Sequence, residues 1–411
     1  MFPVKINTKS FLKTLSLLVF ILFLVSCKAV GPDYEGAPEL EVPENWENQL
    51  NSKFNETGAS QTQWWTLFND PVLNDLISRA AVDNLDAKIA LARVEVARAN
   101  YGIADAARSP ELDGVGDVSE KSKSKSVSGD RDSGLYSSIG LDISWEIDIF
   151  GYVRRSIEAA DAQLERSVEA YRDVMVILYA EIAKNYVALR TAQERLQYAL
   201  ENVKSQKDTL RIVNARYKAE LVSEVDLLQS EQNLAAAESN IPLFFARINE
   251  LSNGLAILLG KNPGTLNSEL KQSYGIPHVP EKTVVQVPRE ILRQRPDIRE
   301  AERLLAQETA EVGIATAEEY PRFNLNGTFG YDSKEFDNQF SSDSRYWSFG
   351  PNFRWNIFDG GATQAAIEVQ DAQVEEARVN YEKKVLTAFE EVENAIKSYK
   401  EEKQRNASLN V

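Results

Sequence analysis

Residues 135–149 read Leu-Tyr-Ser-Ser-Ile-Gly-Leu-Asp-Ile-Ser-Trp-Glu-Ile-Asp-Ile. Leu135, Ile139, Leu141, Ile143, Trp145, Ile147 and Ile149 fall on one face, with Ser137 the one polar exception. Tyr136, Ser138, Gly140, Asp142, Ser144, Glu146 and Asp148 fall on the other. A period of two predicts a β-strand. A strand this long, apolar on one side and polar on the other, has two readings. One is a half-buried strand of a soluble sandwich. The other is a transmembrane strand with lipid outside and water inside. Tyr136 and Trp145, near the strand ends, fit an interfacial aromatic belt and favour the second.

The pattern returns 210 residues later. Trp145-Glu146-Ile147 matches Trp355-Asn356-Ile357, Asp161-Ala162-Gln163 matches Asp371-Ala372-Gln373, and Tyr171 matches Tyr381. Gly102-Ile103-Ala104 matches Gly313-Ile314-Ala315, and Pro110 matches Pro321, at an offset of 211. Such a register over so long a span marks a tandem duplication. In the second unit Trp347, Phe349, Phe353, Trp355 and Ile357 alternate with Ser348, Gly350, Asn352, Arg354 and Asn356. Phe323, Leu325, Phe329 and Tyr331 form its partner strand; the fourth strand, near residues 111–118, has the weakest pattern. Ser119–Ser133 and Asp332–Ser344 read as polar hairpin loops. The chain therefore holds two hairpins and four strands. Four strands cannot close, and an open edge is not tolerated in hydrocarbon. The barrel must be shared among chains. Two chains give eight strands with a filled lumen, and three give twelve with room for water. The polar inner face favours three.

Helical periodicity fills the rest. Residues 70–108 open with Asp70-Pro71 as a cap and first-turn pair. After Gly151 a heptad-like seam, including Leu178, Ile182, Tyr186 and Leu189, runs to about Lys218. At ~1.5 Å per residue this rod is roughly 100 Å long, too long for a globular core. A turn at Ala219–Ser223 leads to a returning helix, Glu224–Gly260. Residues 261–287 read as an extended, Pro-containing connector. A further helix is expected after Pro288, and Tyr381, Val385, Val392 and Tyr399 repeat the seam.

The formal charge is −16, which argues against a nucleic-acid partner. One cysteine and one histidine, His278, leave no multi-cysteine metal site, no His-rich zinc site and little room for Ser-His-Asp catalysis. Neither an enzyme nor a cofactor is expected. His278 reads as a surface residue, the Lys/Ser alternation at 121–126 as a solvated loop, and Gly360-Gly361 as a strand-to-helix bend. At the N-terminus Lys5, Lys9 and Lys13 precede an apolar run, Leu15–Val25, too short to be a permanent anchor.

Several segments together resemble the TolC-like outer-membrane factors, the outer-membrane efflux lipoproteins. Ser26-Cys27 resembles a lipoprotein processing site, with lipid expected on Cys27 as the one covalent attachment. Lys28 follows where Asp would mark inner-membrane retention. Gly31-Pro32-Asp33-Tyr34, Trp64-Trp65-Thr66-Leu67-Phe68-Asn69-Asp70-Pro71 and Ile291-Leu292-Arg293-Gln294-Arg295-Pro296-Asp297-Ile298 are similar to that family's motifs. Arg216-Tyr217-Lys218 through Asp226-Leu227-Leu228-Gln229 resembles its first helical tip. The resemblance implies a mixed α and β membrane protein: long antiparallel helical rods plus four transmembrane strands, contributed to a trimeric twelve-stranded barrel. It implies residence in the outer membrane, a lipid anchor, projection into the periplasm, and docking to a periplasmic adaptor and an inner-membrane pump. The tip residues Arg216, Tyr217, Leu221, Val222, Glu224 and Asp226 would form the docking surface. The expected function is a passive exit duct for small molecules. A type I protein-secretion channel is the alternative, and a lipid-anchored adaptor or structural coiled coil a lesser one.

The expected organisation is a signal at 1–26, a lipidated tether at 27–63, a first repeat at 64–260, a connector at 261–287 and a second repeat at 288–411. Two departures stand out. The family usually places Gly where this chain has Glu220. Val411 corresponds to Glu201 of the first unit, so nothing matches residues 202–260. The expectation is a C-terminally truncated form of a protein about 60 residues longer, which would fold poorly or leak.

Overall fold

The computed structural model describes residues 28–38, 40–41, 43, 46–47, 63–122, 133–272, 275–278 and 294–409. The signal segment, Cys27 and Ile291 to Arg293 lie outside the described residues. The elements are α1 (Pro71–Asp83), α2 (Leu85–Ala106), β1 (Glu111–Ser122), β2 (Ser133–Ile147), α3 (Tyr152–Lys218) and α4 (Glu224–Leu258). They are followed by α5 (Pro296–Ala317), β3 (Arg322–Ser333), β4 (Arg345–Arg354) and α6 (Ala362–Leu409). Two compact units result, and each takes residues from both sequence repeats.

One unit comprises residues 1–41, 95–167 and 298–388 and carries all four strands. The strands form one antiparallel sheet in the order β1-β2-β3-β4, so the two hairpins join through β2 and β3. The register keeps like faces together. Leu141 stands opposite Phe329, and Trp145 opposite Leu325. Phe329 in turn faces Trp347, and Phe323 faces Phe353. Gly327 is required where Ile143 and Phe349 converge: a Cβ there would lie 2.7 Å from one and 3.0 Å from the other. A one-residue slip would reverse every face, so this packing fixes the pairing.

Ser137, the polar exception, is explained by the loop after β3. Gln339 lies against it, accepting from the Ser137 hydroxyl. The Gln339 amide also donates to the carbonyls of Ser137 at 3.1 Å and Tyr331 at 3.0 Å. Both side chains are buried. Strand β4 stops at Arg354, three residues short of the expected Ile357. Its last ladder partner is Arg322, and the preceding Pro321 has no N–H to extend the pairing. The duplication is visible in detail. Trp145 donates its indole N–H to the carbonyl of Arg108 at 3.0 Å, and Trp355 donates to Glu319 at 3.0 Å. Gly151 and Gly361, 210 residues apart, both turn from strand to helix with positive φ, 96° and 93°.

The other unit comprises residues 42–94, 168–297 and 389–411. Leu73, Leu76, Ile77 and Ala80 of α1 pack on Leu178, Ile182, Tyr186 and Leu189 of α3 and on Leu251 and Leu255 of α4. Each such large apolar side chain contributes about 1.5–3 kcal/mol when fully buried. Asp70 caps α1, accepting from the N–H groups of Val72 at 2.9 Å and Leu73 at 3.0 Å. Its second oxygen accepts from the Tyr186 hydroxyl at 2.7 Å. Burial pushes that hydroxyl up to about 12.

Two expectations are corrected here. The helix expected over 70–108 is broken at Asn84. Its buried amide donates to the Leu258 carbonyl at 2.8 Å while its oxygen accepts from the Ala87 N–H at 2.9 Å. Those bonds cap a new helix instead of continuing the old one. The connector is not extended at its start. Residues 264–271 form successive turns that bury Leu266 and Leu270 in the core. Arg190, fully buried, donates to the Gln272 carbonyl at 2.8 Å and holds the turn in place. The helix expected after Pro288 begins, among the described residues, at Pro296 apart from the single helical residue Gln294.

Candidate functional site: membrane sheet, N-terminal strap and helical tip

The sheet exposes its apolar face. Trp347 is 73% exposed, Phe349 66% and Leu112 63%. Such a continuous apolar surface is stable in contact with hydrocarbon, not water. The opposite face carries Asp113, Asp142, Asn324, Asn326 and Thr328, as a water-facing barrel interior requires. On that face Gly140 and Gly330 sit side by side, which leaves room for the Tyr346 hydroxyl above them. Strands β1 and β4 are the outer strands of the sheet, each presenting an open edge. Among the described residues no helix is long and apolar enough to cross a membrane.

Residues 28–38 contain neither helix nor strand, as expected of a tether, but they are pinned. The Val30 N–H donates to the Phe150 carbonyl at 2.9 Å. Arg155 sits in the first turn of α3 with its side chain 3% exposed. It donates to the carbonyls of Val30 at 3.0 Å and Gly31 at 3.2 Å, and pairs with Asp33 at 2.7 Å and Glu158 at 2.7 Å. Gly31, at φ 81°, lies on Gly313 of α5; a Cβ on Gly31 would be 2.5 Å from the Gly313 Cα. Tyr34 donates to Glu302 at 3.4 Å, and the Arg303 guanidinium lies over its ring at 5.7 Å. Thus Gly31, Asp33 and Tyr34 of the motif each have a docking contact. Sequence reasoning missed Arg155 and Gly313. Arg155 looks like an ordinary charge on a helix, and only its burial reveals the role. Cys27 precedes this strap by one residue and lies outside the described residues.

The tip is built by two interlocking caps. Arg216 and Tyr217 occupy the last turn of α3. The Leu221 N–H reaches back to the Arg216 carbonyl at 3.0 Å, and the Glu220 N–H to Tyr217 at 2.9 Å. This pair of bonds is a Schellman cap, which needs a left-handed residue at its pivot. Glu220 takes that role at φ 58°. Ser223 then caps α4 in a reciprocal box with Asp226: the Asp226 N–H reaches the Ser223 hydroxyl at 3.3 Å, and the Ser223 N–H reaches the carboxylate at 2.9 Å. The Ser223 hydroxyl, donating to that carboxylate at 2.7 Å, and then the Ser223 N–H hold the Asp226 carboxyl below its ordinary value. Of the expected docking residues, Asp226 is thus engaged in building the turn, and Val222 is partly covered. Tyr217, Leu221 and Glu224 stay exposed, joined by Val225 at 73%, which the sequence reading left out. His278 is exposed, as expected.

Residues 76–261 and 287–409 match the family described as outer membrane efflux protein. The chain belongs to that family. Among its relatives, Nodulation protein T of Rhizobium leguminosarum bv. trifolii is 30% identical over 383 residues, 92% of this chain and 80% of that protein. Cation efflux system protein CusC of Escherichia coli K12 is 30% identical over 381 residues, 91% of this chain and 81% of that protein. Among solved structures, the outer-membrane channel OprN superposes with a TM-score of 0.85 at 33% identity, covering 92% of this chain and 85% of that one. A structure of CusC gives 0.77 at 28% identity, covering 93% and 85%. Family membership places the chain in the outer membrane as a channel component of efflux. In the family motif at 291–298, Arg295 pairs with Asp297 at 2.8 Å and with Glu391 of α6 at 2.7 Å. That arginine ties the start of α5 to the last helix.

Proposed function

We propose that this protein is the exit duct of a tripartite efflux system. Three copies share one twelve-stranded barrel, the lipid sits on Cys27, and the helical tip docks on a periplasmic adaptor served by an inner-membrane pump. The cargo is small molecules, and the duct itself is passive. The observation that carries this reading is the open four-stranded sheet with its exposed apolar face and its two unclosed edges. Family membership supports it. An adaptor is disfavoured by the two β-hairpins merged into one sheet. The test is fractionation and electrophoresis of the protein expressed in a Gram-negative cell. Recovery from the outer membrane with detergent, as a heat-modifiable trimer that conducts ions in a planar bilayer, is expected. A soluble periplasmic monomer would overturn the reading.

A further inference from the structure

We infer that β4 of one copy pairs with β1 of the next in a single register, set by an ion pair at each end of the seam. The inference rests on the shared-barrel reading and fixes which residues meet. In this register Glu111 of the partner subunit faces Arg354, and the partner's Glu120 faces Arg345. All ten residues of β4 then lie against the partner's residues 111–120.

Three independent constraints select it. The first is face. β1 pairs Leu112 with Ile143, so its even positions share the apolar side, whereas β4 places Trp347, Phe349 and Phe353 there. Only registers joining even to odd positions keep lipid and water faces intact, and these are two residues apart.

The second is barrel geometry. One ladder row runs Gly114–Leu141–Phe329–Trp347. In the inferred register Trp347 meets the partner's Val118, four residues on from Gly114. With ~3.3 Å per residue and ~4.8 Å between strands, that offset tilts a twelve-stranded barrel by about 35°. An offset of two gives about 19°, well outside the usual range of about 35–45°. An offset of six gives about 46° and puts the partner's Glu120 against Trp347 in lipid. Opposite drift is excluded because Glu111 starts β1 and Arg354 ends β4 at the same, helix-bearing side of the sheet.

The third is chemistry. Arg354 stands opposite Arg322, whose guanidinium is already committed to Glu146 at 3.0 Å. The partner's Glu111 would offset this like-charge neighbour. At the other end Arg345 is exposed on the apolar side, where a carboxylate from the partner's Glu120 neutralises it. Between them the bulky Phe349 falls on the partner's Gly116, repeating the way Ile143 and Phe349 close over Gly327 within one chain.

The test is disulfide trapping in outer membranes, with the chain's one native cysteine left in place. The double variant Asp117→Cys/Ser348→Cys matches the inferred register. Asp117→Cys/Tyr346→Cys and Asp117→Cys/Gly350→Cys match registers two residues to either side. Ladders of covalent dimer and trimer from the first variant, at least tenfold above the other two, are expected. Stronger trapping in either neighbouring variant, with heat-resistant trimer intact, overturns the register but not the shared barrel. Monomer in all three and in the unmodified chain overturns the barrel reading itself. A charge exchange covers the case in which cysteines disturb folding. Glu120→Arg or Arg345→Glu alone should lower heat-resistant trimer severalfold, and the double exchange should restore it. Failure of the double exchange to restore trimer counts against the register.

Discussion

Trp355 donates its indole N–H to the carbonyl of Glu319 at 3.0 Å, and so ties the end of β4 to the turn that follows α5. Trp145 makes the equivalent bond to Arg108 in the first repeat. The duplication has thus kept a hydrogen bond as well as a residue type. Replacing Trp355 with Phe preserves most of the apolar area and removes the donor. Such a bond is worth about 0.5–1.5 kcal/mol. Trp355→Phe and Trp145→Phe should each lower the heat-modification temperature slightly and by similar amounts. The two effects should add, because the sites share no partner.

Arg155 is the buried clamp of the N-terminal strap. Removing it takes a donor from the Val30 and Gly31 carbonyls and the ion-pair partner from Glu158, while Asp33 keeps Lys28 at 2.9 Å. Breaking a buried, paired charge costs about 3–5 kcal/mol, less here because Asp33 and Glu158 are half-exposed. Arg155→Met should leave the helices formed and free the strap. Limited proteolysis should then cut within residues 28–38 much faster than in the unmodified protein. Unchanged protection would show that Gly31 and Tyr34 hold the strap without the arginine.

Glu220 occupies a left-handed conformation that costs a non-glycine residue about 1–2 kcal/mol. Glu220→Gly should therefore stabilise the tip by about 1 kcal/mol, despite glycine's greater freedom in the unfolded chain. Thermal melting followed at the helical circular dichroism band would register a small rise. A fall would mean that the Glu220 side chain contributes more than its strain removes.

Asp359 caps α6, accepting from the N–H groups of Gly361 at 2.9 Å, Ala362 at 3.0 Å and Thr363 at 2.8 Å. The Thr363 hydroxyl and N–H are the main reasons its carboxyl is held down at about 2, from 3.8. A depressed carboxyl contributes stability that is present above the unfolded value and lost as pH falls through the folded one. The contribution should thus be intact at pH 5 and fade between about pH 4 and pH 2. Comparison of unfolding midpoints across that window should show a smaller loss for Asp359→Asn. Equal slopes would deny the cap this role.

The amino-acid sequence by itself determined the period-two strands at 135–147 and 322–331, the rods of α3 and α4, and the two-hairpin duplication. These follow from local alternation and caps, and in α3 from the absence of proline, which neighbouring residues carry without help; α4 runs on through Pro242. The tip was legible for the same reason, since Ser223 and Asp226 signal their cap three residues apart. Tertiary contacts decided the rest. Asn84 breaks a helix because a distant carbonyl, Leu258, competes for its amide. Leu266 and Leu270 turn a connector into core because Arg190 meets the carbonyl of Gln272. Ser137 is polar because Gln339 folds onto it, and Arg155 is a clamp because Gly31 and Gly313 let two backbones touch. Each of these depends on a partner more than a dozen residues away, with Arg190 lying 82 residues from Gln272. Local pattern encodes which face a side chain takes, whereas burial against a remote partner sets what that side chain does.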